Sequence, residues 1–321
     1  MKAIVFTKYG TPDVLELKEI NKPFPKEDEV LIKIYAVSIN DWDLGLLQGD
    51  LINRLISGLF KPKIKILGSD IAGQIEAVGK NVKKFLPGDE VYGDLSGRWG
   101  GFAEYVCARE NALTIKPTSM TFEEAAAIPQ AAMLAIQGLC DEGQIQSQQK
   151  LLINGAGGGV GTFAVQIAKL KGLEVTGVDS SGKLDMMLSM GFDHVIDYKH
   201  EDFTKNGKTY DLILDVKTNR SIFDYMHTLC RNGVYVTVGG SMFRLIQALF
   251  LRPWISMISK KKICIVALKS NKDLEYINEL FETGNLKPVI DGTYRIDEIP
   301  KALRLFGEGT HKGKIVITVE H

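Results

Sequence analysis

The residues with the clearest chemistry lie between 150 and 161, where the chain reads Lys-Leu-Leu-Ile-Asn-Gly-Ala-Gly-Gly-Gly-Val-Gly. Five glycines fall between 155 and 161. The pattern Ala156-x-Gly158-x-x-Gly161 follows a short apolar run and opens a helical one, the context in which a Gly-x-Gly-x-x-Gly loop acquires meaning. Side-chain-poor residues let a pyrophosphate approach the backbone and let helix and strand pack closely. The N–H groups of Gly157, Gly158, Gly159, Val160 and Gly161 then face an anion at a helix N-terminus, where the macrodipole also favours it. Asp179 ends the next strand, 21 residues after Gly158. A carboxylate at about that spacing suits the ribose of an adenosine. Gly239, Gly240 and Ser241 end the fifth strand, at the carboxyl edge of the sheet where such folds bind their ligand. The chemistry indicated is the binding of a dinucleotide.

These residues need a particular scaffold. Apolar Leu151–Ile153 reads as a buried parallel strand, and Val160, Phe163, Ala164, Ile167, Ala168 and Leu170 recur at helical spacing. Thr121 with Glu124 forms a capping box that opens a helix. From there strands at 151–154, 174–178, 194–197, 211–216, 233–238 and 262–267 alternate with helices, six in all, as in a doubly wound dinucleotide fold. Before residue 120 the chain is strand-rich: 2–7 and 15–19 as a hairpin, then 29–37, 64–67, 70–78 and 90–93. After a closing helix at 273–282, capped by Gly284, a helix at 297–307 and a strand at 314–319 should return to the first domain. The division expected is 1–122 with 285–321, and 123–284. Residues 46–60 read as one surface helix or a lid, and 241–258 as an apolar helix at a domain interface or lining a pocket. Arg244, Arg252 and Pro253 argue against a membrane span there.

Length and composition agree with two globular domains: 321 residues, 45 % hydrophobic, with 39 Lys+Arg against 39 Asp+Glu. That overall balance offers no electrostatic case for nucleic acid or an anionic membrane. The four cysteines, Cys107, Cys140, Cys230 and Cys264, are too scattered for a metal knuckle or a disulfide framework. The N-terminus lacks the features of a signal peptide. A reducing, cytoplasmic setting is expected.

Taken together, Met1-Lys-Ala-Ile-Val-Phe, Leu67-Gly-Ser-Asp-Ile-Ala-Gly73, Pro87-Gly-Asp-Glu-Val-Tyr-Gly93, Gly100-Gly-Phe-Ala-Glu-Tyr-Val106, the 155–161 loop, Val195-Ile-Asp-Tyr198 and Gly313-Lys-Ile-Val-Ile317 resemble the medium-chain dehydrogenase/reductase superfamily, in its zinc-free quinone oxidoreductase-like branch. The resemblance covers nearly the whole chain. It implies an α/β architecture, a GroES-like β-barrel domain plus a Rossmann doubly wound parallel sheet, with the cofactor between them. Where zinc-dependent relatives carry a Cys and a His-Glu pair, this chain has Asn40 and Ser69-Asp70, so the resemblance implies no zinc. It places Asn40 near the nicotinamide and substrate, where its amide polarises a carbonyl oxygen. The Thr that relatives carry in the helix after Phe122-Glu-Glu is Leu134 here. Ser180, Lys183 and Tyr198 stand where NADPH-using relatives hold the 2′-phosphate, whereas Asp179 alone favours NAD(H). The balance favours NADP(H). Pairing of the 262–268 strand across a two-fold implies a homodimer.

The function expected is hydride delivery from NAD(P)H to a quinone or to the β-carbon of an α,β-unsaturated carbonyl compound, small and apolar. Two alternatives are a carbonyl or alcohol oxidoreductase, and a cofactor-binding sensor without catalysis. Tyr92 and Tyr105 are further proton-donor candidates, although tyrosines in β domains are usually core residues.

Overall fold

The computed structural model describes residues 1–240 and 242–321. The chain divides into two compact units, one of Met1–Gln130, Ser270–Glu282 and Ile290–His321, the other of Ala131–Lys269 and Thr283–Val289.

The second unit is built on a six-stranded sheet in the order His194–Asp197, Glu174–Asp179, Lys150–Asn154, Tyr210–Asp215, Leu229–Thr237, Lys262–Ile265. All neighbours are parallel. Numbered along the chain this is 3-2-1-4-5-6, the dinucleotide-binding order, with its reversal beside Lys150–Asn154. That central strand is buried from Leu151 to Asn154, as a strand covered on both faces must be. It runs into the helix Gly159–Leu170, whose buried Phe163, Ala164, Ile167 and Ala168 face the sheet. A Cβ on Gly161 would sit 2.3 Å from the Ala156 carbonyl oxygen. Only glycine permits helix and strand to meet there.

The first unit holds a seven-stranded sheet, with Ile290–Arg295, Lys314–Thr318, Glu29–Ser38, Asp70–Val78, Glu90–Asp94 and Thr114–Ile115 in sequence across it and Tyr105–Arg109 paired to Glu29–Ser38. The C-terminal strand therefore does return to this unit, antiparallel to Glu29–Ser38. Residues 2–5 and 16–19 pair antiparallel as expected. The helix Phe122–Ala127 opens with its capping box, Glu124 N–H to Thr121 Oγ1 at 3.2 Å and Thr121 N–H to Glu124 Oε2 at 2.9 Å.

Three local expectations change. The single helix expected over 46–60 is two, Asp41–Gln48 and Leu51–Ser57. Gly49 adopts φ 63° and ends the first, and Asp50 caps the second by accepting the Asn53 N–H at 2.9 Å. Residues 64–67 are not a strand: the Phe6 N–H to Lys65 carbonyl bond joins this stretch to the hairpin without forming a ladder. The helix Leu274–Glu282, expected to close the Rossmann set, groups with the first unit. There the Tyr92 hydroxyl donates to Asn278 Oδ1 at 2.6 Å, and Leu274 and Ile277 are buried.

Candidate active site

In the second unit the helix Gly159–Leu170 has Gly158 at its N-cap and no side-chain cap. Its first-turn N–H groups therefore depend on a ligand or solvent, which is the arrangement an anion requires. Beside it the structure brings together Gly157, Asp179, Ser180, Lys183 and Tyr198. Asp179 Oδ2 accepts the Gly157 N–H at 2.9 Å, and Oδ1 accepts the Ser180 N–H at 2.9 Å. The Lys183 ammonium lies 3.4 Å from Oδ1. The Tyr198 N–H donates to the Asp179 carbonyl at 3.2 Å, and the phenol ring stands exposed.

Both Asp179 oxygens accept bonds within the chain, and its charge is offset by Lys183. Lys183 is itself buried, with only 3 % exposed. Its stem lies against the loop: a Cβ on Gly157 would fall 2.7 Å from Lys183 Cδ. Gly239 and Gly240 do follow the fifth strand, and the Gly239 carbonyl accepts from the Thr218 and Thr237 hydroxyls. Ser241 lies outside the described residues.

In the first unit four strand ends converge. Ser38 pairs with Asp70, Asp70 with Asp94, and Val316 with Ser38. This register sets Asn40, Ser69, Asp70, Asp94 and Lys314 near one another from distant parts of the sequence. Lys314, 4 % exposed, donates to Asn40 Oδ1 at 2.5 Å and lies 3.8 Å from Asp70 Oδ2. Asn40 Nδ2 then faces the Ser69 hydroxyl at 3.4 Å. Gln130 Nε2 reaches Ser69 Oγ at 2.9 Å and Ser96 Oγ at 2.8 Å, and the Gln130 N–H binds Asp70 Oδ2 at 3.1 Å. Ser270 Oγ donates to Asp94 Oδ2 at 2.8 Å. Asp43 is wholly buried and accepts the N–H groups of Asn40 and Gly68 at 2.9 and 2.8 Å.

Burial dominates the electrostatics. It pushes the Asp43 carboxyl up to about 6, against the two backbone bonds that favour the charged form. It raises Asp70, opposed first by the Lys314 charge, and lowers Lys314, opposed first by Asp70. The Tyr92 hydroxyl is also raised by burial and is engaged by Asn278, so Tyr92 is a core residue rather than a proton donor. Tyr105 packs beneath the Lys22 ammonium, 3.7 Å from its ring centroid.

The donor set at Asn40, Ser69 and Asp70 is an amide, a hydroxyl and one carboxylate, with an ammonium set against two of them. It does not fit Zn²⁺, which takes thiolates and imidazoles with at most one or two carboxylates, since neither Cys nor His is offered here. Among the described residues no group of three or more His, Cys, Asp or Glu could hold a metal ion. Lys314, Gln130, Asp94 and Ser270 were not singled out by sequence reasoning. The only signal was Lys314 within the family-like Gly313-Lys-Ile-Val-Ile tail.

Family models place an alcohol dehydrogenase GroES-like domain at residues 26–118 and a zinc-binding dehydrogenase domain at 190–317. The chain is 32% identical to the 2-methylene-furan-3-one reductase of Solanum lycopersicum over 99% of its own length and 79% of that protein. It is 31% identical to the chloroplastic NADPH-dependent alkenal/one oxidoreductase of Arabidopsis thaliana, again over 99% and 79%. The solved quinone oxidoreductase of Coxiella burnetii superposes with a TM-score of 0.86 at 26% identity, covering 100% of this chain and 99% of that one. The two sheets and their order, the uncapped glycine loop and these similarities agree: the chain belongs to the medium-chain dehydrogenase/reductase superfamily, as an oxidoreductase of its quinone oxidoreductase-like branch.

Proposed function

We propose that this protein is a zinc-independent reductase that uses NADPH to reduce a small apolar enone or quinone. The observation that carries the reading is the uncapped helix at Gly158 with the buried Asp179–Lys183 pair beside it. A dinucleotide pyrophosphate suits the loop. A 2′-phosphate meets a carboxylate whose charge is already compensated, next to Ser180, Lys183 and the exposed Tyr198 ring. NAD(H) remains a weaker ligand of the same groups.

A bound nicotinamide cofactor supplies the hydride. What this chain supplies is position. Lys314 takes Asn40 Oδ1, which fixes the amide so that its NH₂ is the end left to donate. Asn40 is then the donor to a carbonyl oxygen on which negative charge develops, and a preorganised donor of that kind lowers the barrier. The acceptor class follows the relatives, which are named for enone, alkenal/one and quinone reduction. The donor set around Asn40 leaves this role to the amide and the ammonium rather than to a metal.

Two further readings belong here. The strand Lys262–Ile265 is an edge of the parallel sheet, and pairing that edge across a two-fold gives a homodimer and satisfies its backbone groups. Cys107, Cys230 and Cys264 carry free thiols, in keeping with a reducing cytoplasm.

The test is NADPH oxidation with a short enone and a benzoquinone, with and without a chelator. Turnover unaffected by the chelator supports the proposal. Cofactor binding without turnover on either acceptor would make the protein a sensor, and activity lost to the chelator would restore a metal.

A further inference from the structure

The helix Met242–Ser259 has two faces of different fate. Ala248 is buried, and Leu251 and Ile255 pack with it on the core around Ile213, Tyr235 and Ile263. Opposite them, at helical spacing, runs an apolar stripe: Phe243 is 71% exposed, Ile246 45%, Phe250 73%, Trp254 63% and Met257 73%. One face is thus held by the protein and the other carries aromatic and aliphatic side chains into solvent, more than a soluble surface ordinarily tolerates in one patch.

The charges around the stripe identify what covers it. Arg244, Arg252, Lys260, Lys261 and Lys262 lie on the helix or directly after it, and no Asp or Glu occurs between Asp224 and Asp273. In a chain with equal numbers of acids and bases this is a strong local asymmetry. A basic segment of this kind is complementary to an anionic surface. Eighteen residues make a helix about 27 Å long, and its docked inner face keeps it parallel to whatever it meets. Among the described residues no helix is long and apolar enough to cross a membrane.

We propose that Met242–Ser259 is an in-plane anchor that seats the protein on a membrane surface bearing anionic headgroups. The stripe enters the boundary between headgroups and acyl chains while Lys260 and Lys262, directly after the helix, meet the headgroup charges. The overall charge balance conceals this, because the basic excess is confined to one segment. The inference stands apart from the reaction proposed above.

The test is co-sedimentation of the full-length protein with phosphatidylcholine vesicles, with and without phosphatidylglycerol, alongside sedimentation velocity without lipid. Binding is expected only where phosphatidylglycerol is present, with a blue shift of emission that is lost in Trp254→Phe. Phe250→Ser with Trp254→Ser should reduce partitioning by roughly tenfold or more, from the apolar surface removed. Lys260→Glu with Lys262→Glu should do the same through charge. All these side chains are exposed, and unchanged far-ultraviolet circular dichroism confirms that the variants fold. Absence of vesicle binding, equal binding to neutral vesicles, or binding that survives both double variants overturns the proposal. So does a dimer that is lost in the Phe250→Ser/Trp254→Ser variant while vesicles remain unbound, since the face then joins copies of the chain.

Discussion

Removing Lys183 should injure both the fold and the choice of cofactor, and the two injuries can be separated. Asp179, 6% exposed, has three partners: the N–H groups of Gly157 and Ser180 and the Lys183 ammonium. Lys183→Ala leaves a buried carboxylate without its cation. Deleting one partner of such a pair costs about 3–5 kcal/mol, and the two remaining N–H bonds place this case near the lower figure. The lost stem also frees the loop at Gly157. Asp179→Asn added to Lys183→Ala should recover most of that stability, because the orphaned charge is gone. NADPH should bind about 1.5–3 kcal/mol more weakly to Lys183→Ala, the scale of a hydrogen bond to a charged group, while NADH loses markedly less. Urea unfolding gives the first quantity and fluorescence titration with each cofactor the second. If Lys183→Ala unfolds like the wild type, the buried pair contributes nothing. If both cofactors weaken equally, Lys183 shapes the loop and does not read the phosphate.

Asn40→Ala should keep NADPH binding and lose about a hundredfold in kcat, the lower end for one such donor, with a quinone affected less than an enone. An unchanged kcat for both would reduce Asn40 to the cap of its helix. Lys314→Met should lower kcat by at least about tenfold and destabilise the first unit. Adding Asp70→Asn should restore stability but not kcat, and full recovery of kcat would show that Lys314 is structural. Asp43 makes stability depend on pH. Its folded value of about 6 lies above the 3.8 of a free carboxyl, so the unfolded chain gives up its proton first as pH rises. The contribution is present below about pH 4 and lost as pH rises through about 6, up to about 3 kcal/mol at 1.36 kcal/mol per unit. Asp43→Asn should flatten that slope in urea titrations between these limits, and an unaltered slope would remove Asp43 as its source.

The sequence showed most clearly what is local. Each strand of the parallel sheet is an apolar run between turn residues, and the glycine loop carries its own spacing, so all six strands and their fold class were legible. So was the capping box at Thr121. In the first unit the family resemblance marked Asn40, Ser69 and Asp70, but not the residues that hold them. Lys314 and Asn40 are 274 residues apart, and nothing near either indicates that antiparallel pairing of their strands brings ammonium to amide. Gln130 and Asp94 likewise look ordinary until the register aligns Asp70 with Asp94. Lys183 was marked as a phosphate ligand, but its burial was not legible, because it follows from the carboxylate of Asp179 at the end of the preceding strand. The break at Gly49-Asp50 was readable as a glycine cap followed by an N-cap, but the continuous Leu and Ile periodicity outweighed it. The helix Met242–Ser259 was correctly read as apolar. Which of its faces the core would take depends on tertiary packing, which periodicity alone does not specify.

The central claim is direct transfer of hydride to carbon at a site without metal. The measurement that tests it most directly is a single turnover of a short enone with NADPH carrying deuterium at the transferring position, in unlabelled water. One deuterium on the β-carbon of the saturated product, with hydrogen from solvent on the α-carbon, is the result expected. Deuterium in the solvent, deuterium on the carbonyl carbon of an alcohol product, or no turnover of enone and quinone alike would contradict it.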